Sequence, residues 1–387
     1  MNLLKYIIIN ILETFMRFPP IPCKTGLIKI GNPDRNSPVV LTCNFHLTVE
    51  RLKRALKGMD AYLLVADSRG INVWCAATGG HFTNHSVISV LKVSGIEELV
   101  DHKNVILPQL GATGVEPKVI KKKTGWKVIW GPVYMKDIPG FIKNDLKKTP
   151  EMREVDFPLA HRMEMAVMWA FPFSAIVAPI LFFFQRDALW PITGLIWGIT
   201  ILIFVSFPLY SKWLNPKREG TSFSKYTVIF DFGRVPICLW GIFVFCIVIY
   251  SIFMGSFAWG FILRWSLVSF VIVLVLSMDL TGSTPVYKSG LHKDRFFKIF
   301  LDEEKCKIAG FCEDVCPRNC YEVDKQSHTV NIPRADLCVQ CAACIVQCPF
   351  DAIYFKSPDG EIIPPETIRK YKLNLLGKRQ IQTNDKV

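Results

Sequence analysis

Of thirteen cysteines in 387 residues, eight fall between Cys306 and Cys348, and their spacing raises the first chemical question. The run CVQCAACIVQCP, starting at Cys338, is C-x2-C-x2-C-x3-C-P. Three thiolates at that spacing wrap one iron–sulfur cubane, and the fourth ligates the partner cluster in two-cluster ferredoxins. The earlier run CKIAGFCEDVCP follows the same template with Cys306, Cys312 and Cys316, but Ala309 stands at the second ligand position. By the crossed rule Cys338, Cys341, Cys344 and Cys316 complete one [4Fe–4S] cluster, which leaves Cys306, Cys312 and Cys348 for the other site. That set can hold a [3Fe–4S] cluster, or a [4Fe–4S] cluster whose fourth iron takes water, Cys320 or an external thiolate. Cys320, just past the Cys-Pro turn, reads as a core residue. Cysteines packed this densely at ferredoxin spacing point to a reducing compartment rather than to a disulfide framework.

A second stretch, GINVWCAATGG at residues 70–80, puts the single thiol of Cys75 among small residues, beside Trp74 and ahead of Gly79 and Gly80. Local pattern places it at the end of a strand. Either Cys75 is an ordinary buried cysteine, or a large flat group lies against backbone that carries little side chain.

The elements that must position these groups fall into three segments of different character. Residues 25–155 alternate short β-rich runs, SPVVLTCN, AYLLVADS, NVILPQL and GWKVIWGPV, with helix-like LTVERLKRALKG and NHSVISVLKVSGIEELV, so a parallel sheet with ligands at its strand ends is expected. Residues 160–282 hold four apolar stretches long enough to span a bilayer, roughly Met163–Phe184, Leu189–Tyr210, Val235–Met254 and Phe257–Leu276. Cys238 and Cys246 read as packing inside the third, and Arg264 as a cation snorkelling from the fourth. Residues 295–357 form an α+β dicluster ferredoxin of the bacterial type, and residues 358–387 a basic tail without thiols. Residues 1–24 begin apolar but carry Lys5 and Glu13, which fits an interfacial or docking helix better than a signal peptide. The expected fold class is therefore multidomain, with an α/β domain, a four-helix transmembrane bundle and a ferredoxin.

Half the residues are hydrophobic and mean hydropathy is positive, which fits a membrane protein. The net charge of +13 is not gathered into one stripe, so no nucleic-acid partner is expected. Lys147, Lys148, Arg153 and Arg162 precede the first span, Lys212, Lys217, Arg218 and Lys225 fill the middle loop, and Lys288, Lys293, Arg295 and Lys298 follow the last. Positive flanks at start, middle and end put both termini on the cytoplasmic side of an inner membrane, with lipid as the surrounding partner.

The stretch GINVWCAA resembles the signature N-[VI]-W-C-A-[AG]-G-K of the membrane corrinoid protein of microbial mercury methylation. CNFHLTVERL, LLVADSRG, ILPQLGATGVEPKVIKKKTGWKVIWGPV and DIPGF also resemble that family and the corrinoid domain of the corrinoid iron–sulfur protein. The C-terminal segment is similar to the ferredoxin partner of the mercury-methylation pair, so the chain looks like a fusion of the two. The resemblance implies a corrinoid cofactor seated on Asn72, Val73, Trp74, Cys75, Ala76, Ala77, Thr78 and Gly79, with Ala76, Ala77, Gly79 and Gly80 allowing close approach and Cys75 as the cobalt thiolate. It also implies a C1 donor such as methyl-folate or methyl-pterin, or a methyltransferase that delivers it. A low-potential electron donor would keep cobalt at Co(I), and an acceptor such as Hg(II) would take the methyl group. Two departures stand out. Thr78 and Gly79 replace the family's Gly-Lys, and no cysteine follows Cys348 where the family's ferredoxin carries a C-terminal pair. His81 and His85, shortly after the motif, read as surface residues at a helix start.

Overall fold

The computed structural model describes residues 3–17, 19–213, 234–255, 258–277, 280, 283–286, 297–357, 360–373 and 379–381. The chain divides into two compact units, one of residues 1–10, 19–156 and 296–387 and one of residues 11–18 and 157–295. The α/β segment and the ferredoxin segment thus share a single unit.

The N-terminal helix α1 (Leu3–Phe15) precedes the first half of unit one. That half runs β1 (Gly26–Ile30), β2 (Val39–Cys43), α2 (His46–Ala55), β3 (Ala61–Ala66), α3 (Val73–Thr78), α4 (Asn84–Val93), α5 (Ile96–Leu99), β4 (Asn104–Leu107), α6 (Pro117–Thr124), β5 (Lys127–Trp130), α7 (Ile138–Lys143) and α8 (Pro150–Arg153). The sheet order is β1-β3-β2-β4-β5, with β2 to β5 parallel and β1 antiparallel on the edge. Every residue of β2 and β3 is buried, as a strand covered on both faces requires. The two faces follow from the two-residue period. Val39, Leu41, Cys43, Leu64, Ala66 and Leu107 join Ala76, Ala77, Val87 and Ile120 in one core. Val40, Leu63, Val65 and Ile106 join Leu52, Leu56 and Phe141 in the other.

Some expectations change here. The edge strand β1 is an addition to the four expected strands. The long helix expected after residue 84 breaks at Gly95, whose φ of 69° is left-handed, and continues as α5. Cys75 is not at a strand end; it sits inside α3, because Asn72 caps a helix before the residues that favour strand can extend.

Unit two contains α9 (Leu159–Phe184), α10 (Arg186–Tyr210), α11 (Arg234–Phe253) and α12 (Trp259–Leu276). Four helical segments here are long and apolar enough to cross a membrane. Arg17 and Glu164 pair at 2.5 Å within this unit. Arg264 is exposed within the first two turns of α12, where its stem can carry the charge toward an interface. Cys238 and Cys246 are corrected from packing residues to outward-facing ones; a thiol behaves as a small hydrophobe and suits a lipid-facing surface as well as a core. Lys217, Arg218, Lys225, Lys288, Lys293 and Arg295 lie outside the described residues.

The second half of unit one contains β6 (Lys298–Leu301), α13 (Phe311–Val315), β7 (Glu322–Asp324), β8 (Thr329–Asn331), α14 (Ala343–Gln347), β9 (Ile353–Lys356), β10 (Ile362–Ile363) and α15 (Pro365–Lys370), followed by β11 (Tyr371–Leu373) and β12 (Arg379–Ile381). β7 pairs with β8, and β9 lies between β10 and β6. The expected basic tail therefore begins as part of this half, with Ile368 buried in the ferredoxin core beside Ile345 and Phe355.

Candidate functional site

The turn that leads into α3 is built on Asn44, directly after β2. Its side-chain oxygen accepts from the backbone of Ser68 at 2.8 Å, the Ser68 hydroxyl at 3.0 Å and the backbone of Gly70 at 3.0 Å. Its amide donates to Asp67 at 3.2 Å. Gly70 has φ 71°, and a Cβ there would stand 2.6 Å from Pro22 N, so only glycine closes the turn. The chain then enters α3 at the C-terminal ends of β2, β3 and β4, the edge where parallel sheets place ligands.

Asn72 is the N-cap of α3, and its Oδ1 accepts from Cys75 N at 2.9 Å. Trp74, Cys75, Thr78, Gly79 and Gly80 are half-buried, whereas Val73, Ala76 and Ala77 are buried. Ala76 and Ala77 thus turn into the sheet core instead of lining the outer surface. Their smallness admits the β4–α6 loop: a Cβ at Gly114 would lie 3.2 Å from Ala77 Cα and 2.2 Å from Phe82 O. Thr78 Oγ1 donates back to Trp74 O at 2.8 Å, a bond that a lysine or glycine side chain at that position does not make. His81 packs beside Gly79, and its Nδ1 is buried without a hydrogen-bond partner. Burial first, and Arg69 second, hold the imidazole below its ordinary pKa and favour the neutral ring. His85 is exposed one turn away.

The ferredoxin half closes on the other side of the same loop. Thr113 Oγ1 donates to Cys341 O. Gln347, between the last two cysteines of the motif, donates to Ala112 O at 2.7 Å and Val115 O at 2.8 Å and accepts from Trp130 Nε1 at 3.2 Å. Val155 N donates to Pro317 O at 2.8 Å, and Arg318 donates to Val155 O at 2.7 Å. Lys148, its side chain 3% exposed, donates to Gln109 Oε1 at 2.9 Å and Asp314 O at 2.6 Å and pairs with the Asp314 carboxylate at 3.1 Å. Burial pulls its ammonium down to about 8, against the opposing pull of Asp314. The roles of Asn44, Thr113 and Gln347 escape sequence reasoning, and Lys148, expected only as part of the positive flank before the first span, is instead buried within unit one. The local trace is the glycine pair of LGATG for the loop and a polar residue inside the cysteine motif for Gln347.

The cysteines expected to hold clusters sort into two neighbourhoods. Burial drives Cys344 up, and its charged neighbours are Cys341, Cys338 and Cys316. Burial likewise pushes Cys312 up to about 12, with Cys348 and Cys306 as its cysteine neighbours. Cys320 is buried against Cys316 and Cys338, its backbone amide donating to Cys316 Sγ at 3.3 Å. It therefore accompanies the four-cysteine set and is not placed to complete the other. Among the described residues, no three His, Cys, Asp or Glu side chains converge on a single ion. Thiolates around a cubane stand farther apart than ligands around one ion, so this leaves the cluster sets intact.

The residues around Cys75 fit a large planar group. A half-buried thiol lies near Gly79 and Gly80, which contribute no side chain, and the unpartnered His81 nitrogen belongs to a ring beside Gly79.

Comparison with known proteins addresses both halves of unit one. Residues 13–142 match the family model of the CO dehydrogenase/acetyl-CoA synthase delta subunit, and residues 333–354 match that of the 4Fe-4S binding domain. The gamma subunit of the acetyl-CoA decarbonylase/synthase complex of Methanothermobacter thermautotrophicus is 40% identical over 119 residues, 30% of this chain and 26% of that protein. Its counterpart in Methanopyrus kandleri is 34% identical over 128 residues, 33% of this chain and 27% of that protein. Gamma subunit 2 of Methanosarcina thermophila is 33% identical over 143 residues, 35% of this chain and 30% of that protein. The chain thus spans less than a third of the length of these relatives, and the family match runs from the end of α1 through most of α7, including α3 and Cys75.

Proposed function

We infer that this protein is a membrane-anchored corrinoid methyl carrier with its reducing module built into the same chain. The observation that carries the reading is the joint core of unit one, in which Ala76 and Ala77 of α3 pack in one cluster with Cys341 and Ala343 of the cysteine motif. When bound, a corrinoid supplies a cobalt that accepts a methyl group from a C1 donor and releases it to an acceptor. The similarity to subunits of the acetyl-CoA decarbonylase/synthase complex supports one-carbon chemistry. The resemblance to the mercury-methylation pair makes Hg(II) the first acceptor to test.

Cys75 is the proposed cobalt thiolate, a soft donor held on α3 by the Asn72 cap. Thr78 Oγ1 is tied back to Trp74 O, and Gly79 and Gly80 offer bare backbone for the ring edge. The four-cysteine set takes a [4Fe–4S] cluster. The three-cysteine set takes a [3Fe–4S] cluster, or a [4Fe–4S] cluster with a non-cysteine fourth ligand. The clusters draw on a low-potential donor, in keeping with the low end of the iron–sulfur potential range. The four apolar helices anchor the chain in an inner membrane, and the positive flanks favour both termini on the cytoplasmic side. Leu3, Leu4, Ile7, Ile8, Ile11 and Leu12 form an exposed stripe along α1 that suits the lipid interface.

The test is metal content. Anaerobically isolated protein supplied with a corrinoid should retain about one cobalt per chain, a stoichiometry set by the single proposed thiolate site. Cys75→Ala should keep the iron content and change the Co(III) absorption spectrum. Iron without cobalt reduces the protein to an anchored electron-transfer module, and an unchanged spectrum removes Cys75 as the ligand.

A further inference from the structure

The β4–α6 loop touches α3 on one side and the backbone of a cysteine of the C-terminal motif on the other. Thr113 is 4% exposed and its hydroxyl donates to the carbonyl of Cys341. The next residue, Gly114, lies against Ala77 with no side chain between the two backbones. Ala77 is two residues from Cys75 in the same short helix. Four residues, Thr113, Gly114, Ala77 and Ala76, therefore connect Cys341 to the proposed cobalt thiolate through covalent bonds, one hydrogen bond and one backbone contact. Among the described cysteines of the two cluster sets, Cys341 alone has its side chain in the core that contains Ala76 and Ala77.

The contact is also held in place. Gln347, 7% exposed, holds the carbonyls on both sides of Thr113 and Gly114, and its own oxygen is occupied by Trp130. A buried polar group with all its partners fixes one geometry, whereas a half-satisfied one would not. Gly114 cannot be widened, since a Cβ would collide with Phe82 O at 2.2 Å.

We propose that Thr113 and Gly114 are a fixed electron bridge from the four-cysteine cluster to the group held at Cys75, with Gln347 as the positioning residue that clamps it. This rests on the function proposed above. The four-cysteine cluster is then the exit of the ferredoxin half, and the three-cysteine site at Cys306, Cys312 and Cys348 is the entry. Each transfer moves one electron: the exit cluster is oxidised by one, the acceptor at Cys75 is reduced by one, and a low-potential donor of the ferredoxin class, or dithionite in vitro, restores the cluster.

The experiment uses the full-length chain reconstituted with iron, sulfide and a corrinoid. Cobalt and iron are counted first, and cobalt reduction is then followed by stopped-flow absorption after mixing with dithionite. Thr113→Val removes the donor at nearly constant volume. It should leave the iron content, the cluster EPR spectrum and the midpoint potentials as in the wild type, and slow cobalt reduction several-fold, while Thr113→Ser restores the rate. Gln347→Leu should raise amide hydrogen exchange across residues 109–115 in cluster-loaded protein that carries no corrinoid, and slow reduction as well. A Thr113→Val protein that reduces cobalt at the wild-type rate overturns the bridge and leaves the function standing. So does exchange across 109–115 that is equally fast in wild type and Gln347→Leu. A chain that binds no cobalt overturns both.

Discussion

At the scale of single residues, the site depends on groups that are not themselves reactive. Asn44 holds the turn before α3 through three acceptor contacts and donates to Asp67, while 5% exposed. Asn44→Ala strands the buried amides of Ser68 and Gly70, and each unsatisfied donor costs about 1–3 kcal/mol. The expected loss is about 2–4 kcal/mol in chemical denaturation of the cluster-loaded protein, with Cys75 alkylation speeding up as α3 loosens. A loss below about 1 kcal/mol would mean that the turn does not rely on Asn44. Cys43, beside this network, is buried and pushed up to about 11 by that burial, so it should stay unmodified in the native state. Cys75 can be singled out in sequence because small residues follow it. The duty of Asn44 is not, since its partners lie more than twenty residues away.

At the scale of elements, the cysteine motifs can be read from sequence because their spacing is local, and Cys344 has Cys341, Cys338 and Cys316 as neighbours while Cys312 has Cys348 and Cys306, the grouping the crossed rule expects. The vacancy at the second ligand position of the first motif belongs to the same scale. Ala309 is exposed between Ile308 at φ 54° and Gly310 at φ 79°, a left-handed pair that turns the chain around the three-cysteine set. Ala309→Cys should supply a fourth thiolate and convert the second EPR signal to that of a cysteine-ligated cubane. A spectrum identical to the wild type would show that position 309 does not face the iron. α3 itself was not legible as a helix. Six residues are too few for a periodic signal, and the deciding feature is the Asn72 cap.

At the scale of the whole molecule, the interlock of the two halves of unit one carries a pH dependence. Lys148 is buried between Gln109 and Asp314 with its pKa pulled down from 10.5 to about 8. Between those values the unfolded chain binds more protons than the folded one, so this group's contribution to stability rises with pH. That contribution is complete above pH 10.5 and is lost as pH falls through about 8. The wild-type stability measured relative to Lys148→Met should therefore increase by on the order of 2–3 kcal/mol across that window. A flat difference between the two proteins would place the Lys148 ammonium in water.

Taken alone, the sequence determined the cysteine spacing, the alternation that makes a parallel sheet and the four long apolar helices, because spacing and period are properties of neighbouring residues. Only the tertiary structure decided that Ala76 and Ala77 face inward, that Cys320 stays with Cys316 and Cys338, and that Cys238 and Cys246 face outward. It alone brought Gln347 and Thr113 onto the loop behind Cys75. The partners in that last contact are more than two hundred residues apart along the chain, a distance at which no local pattern carries information.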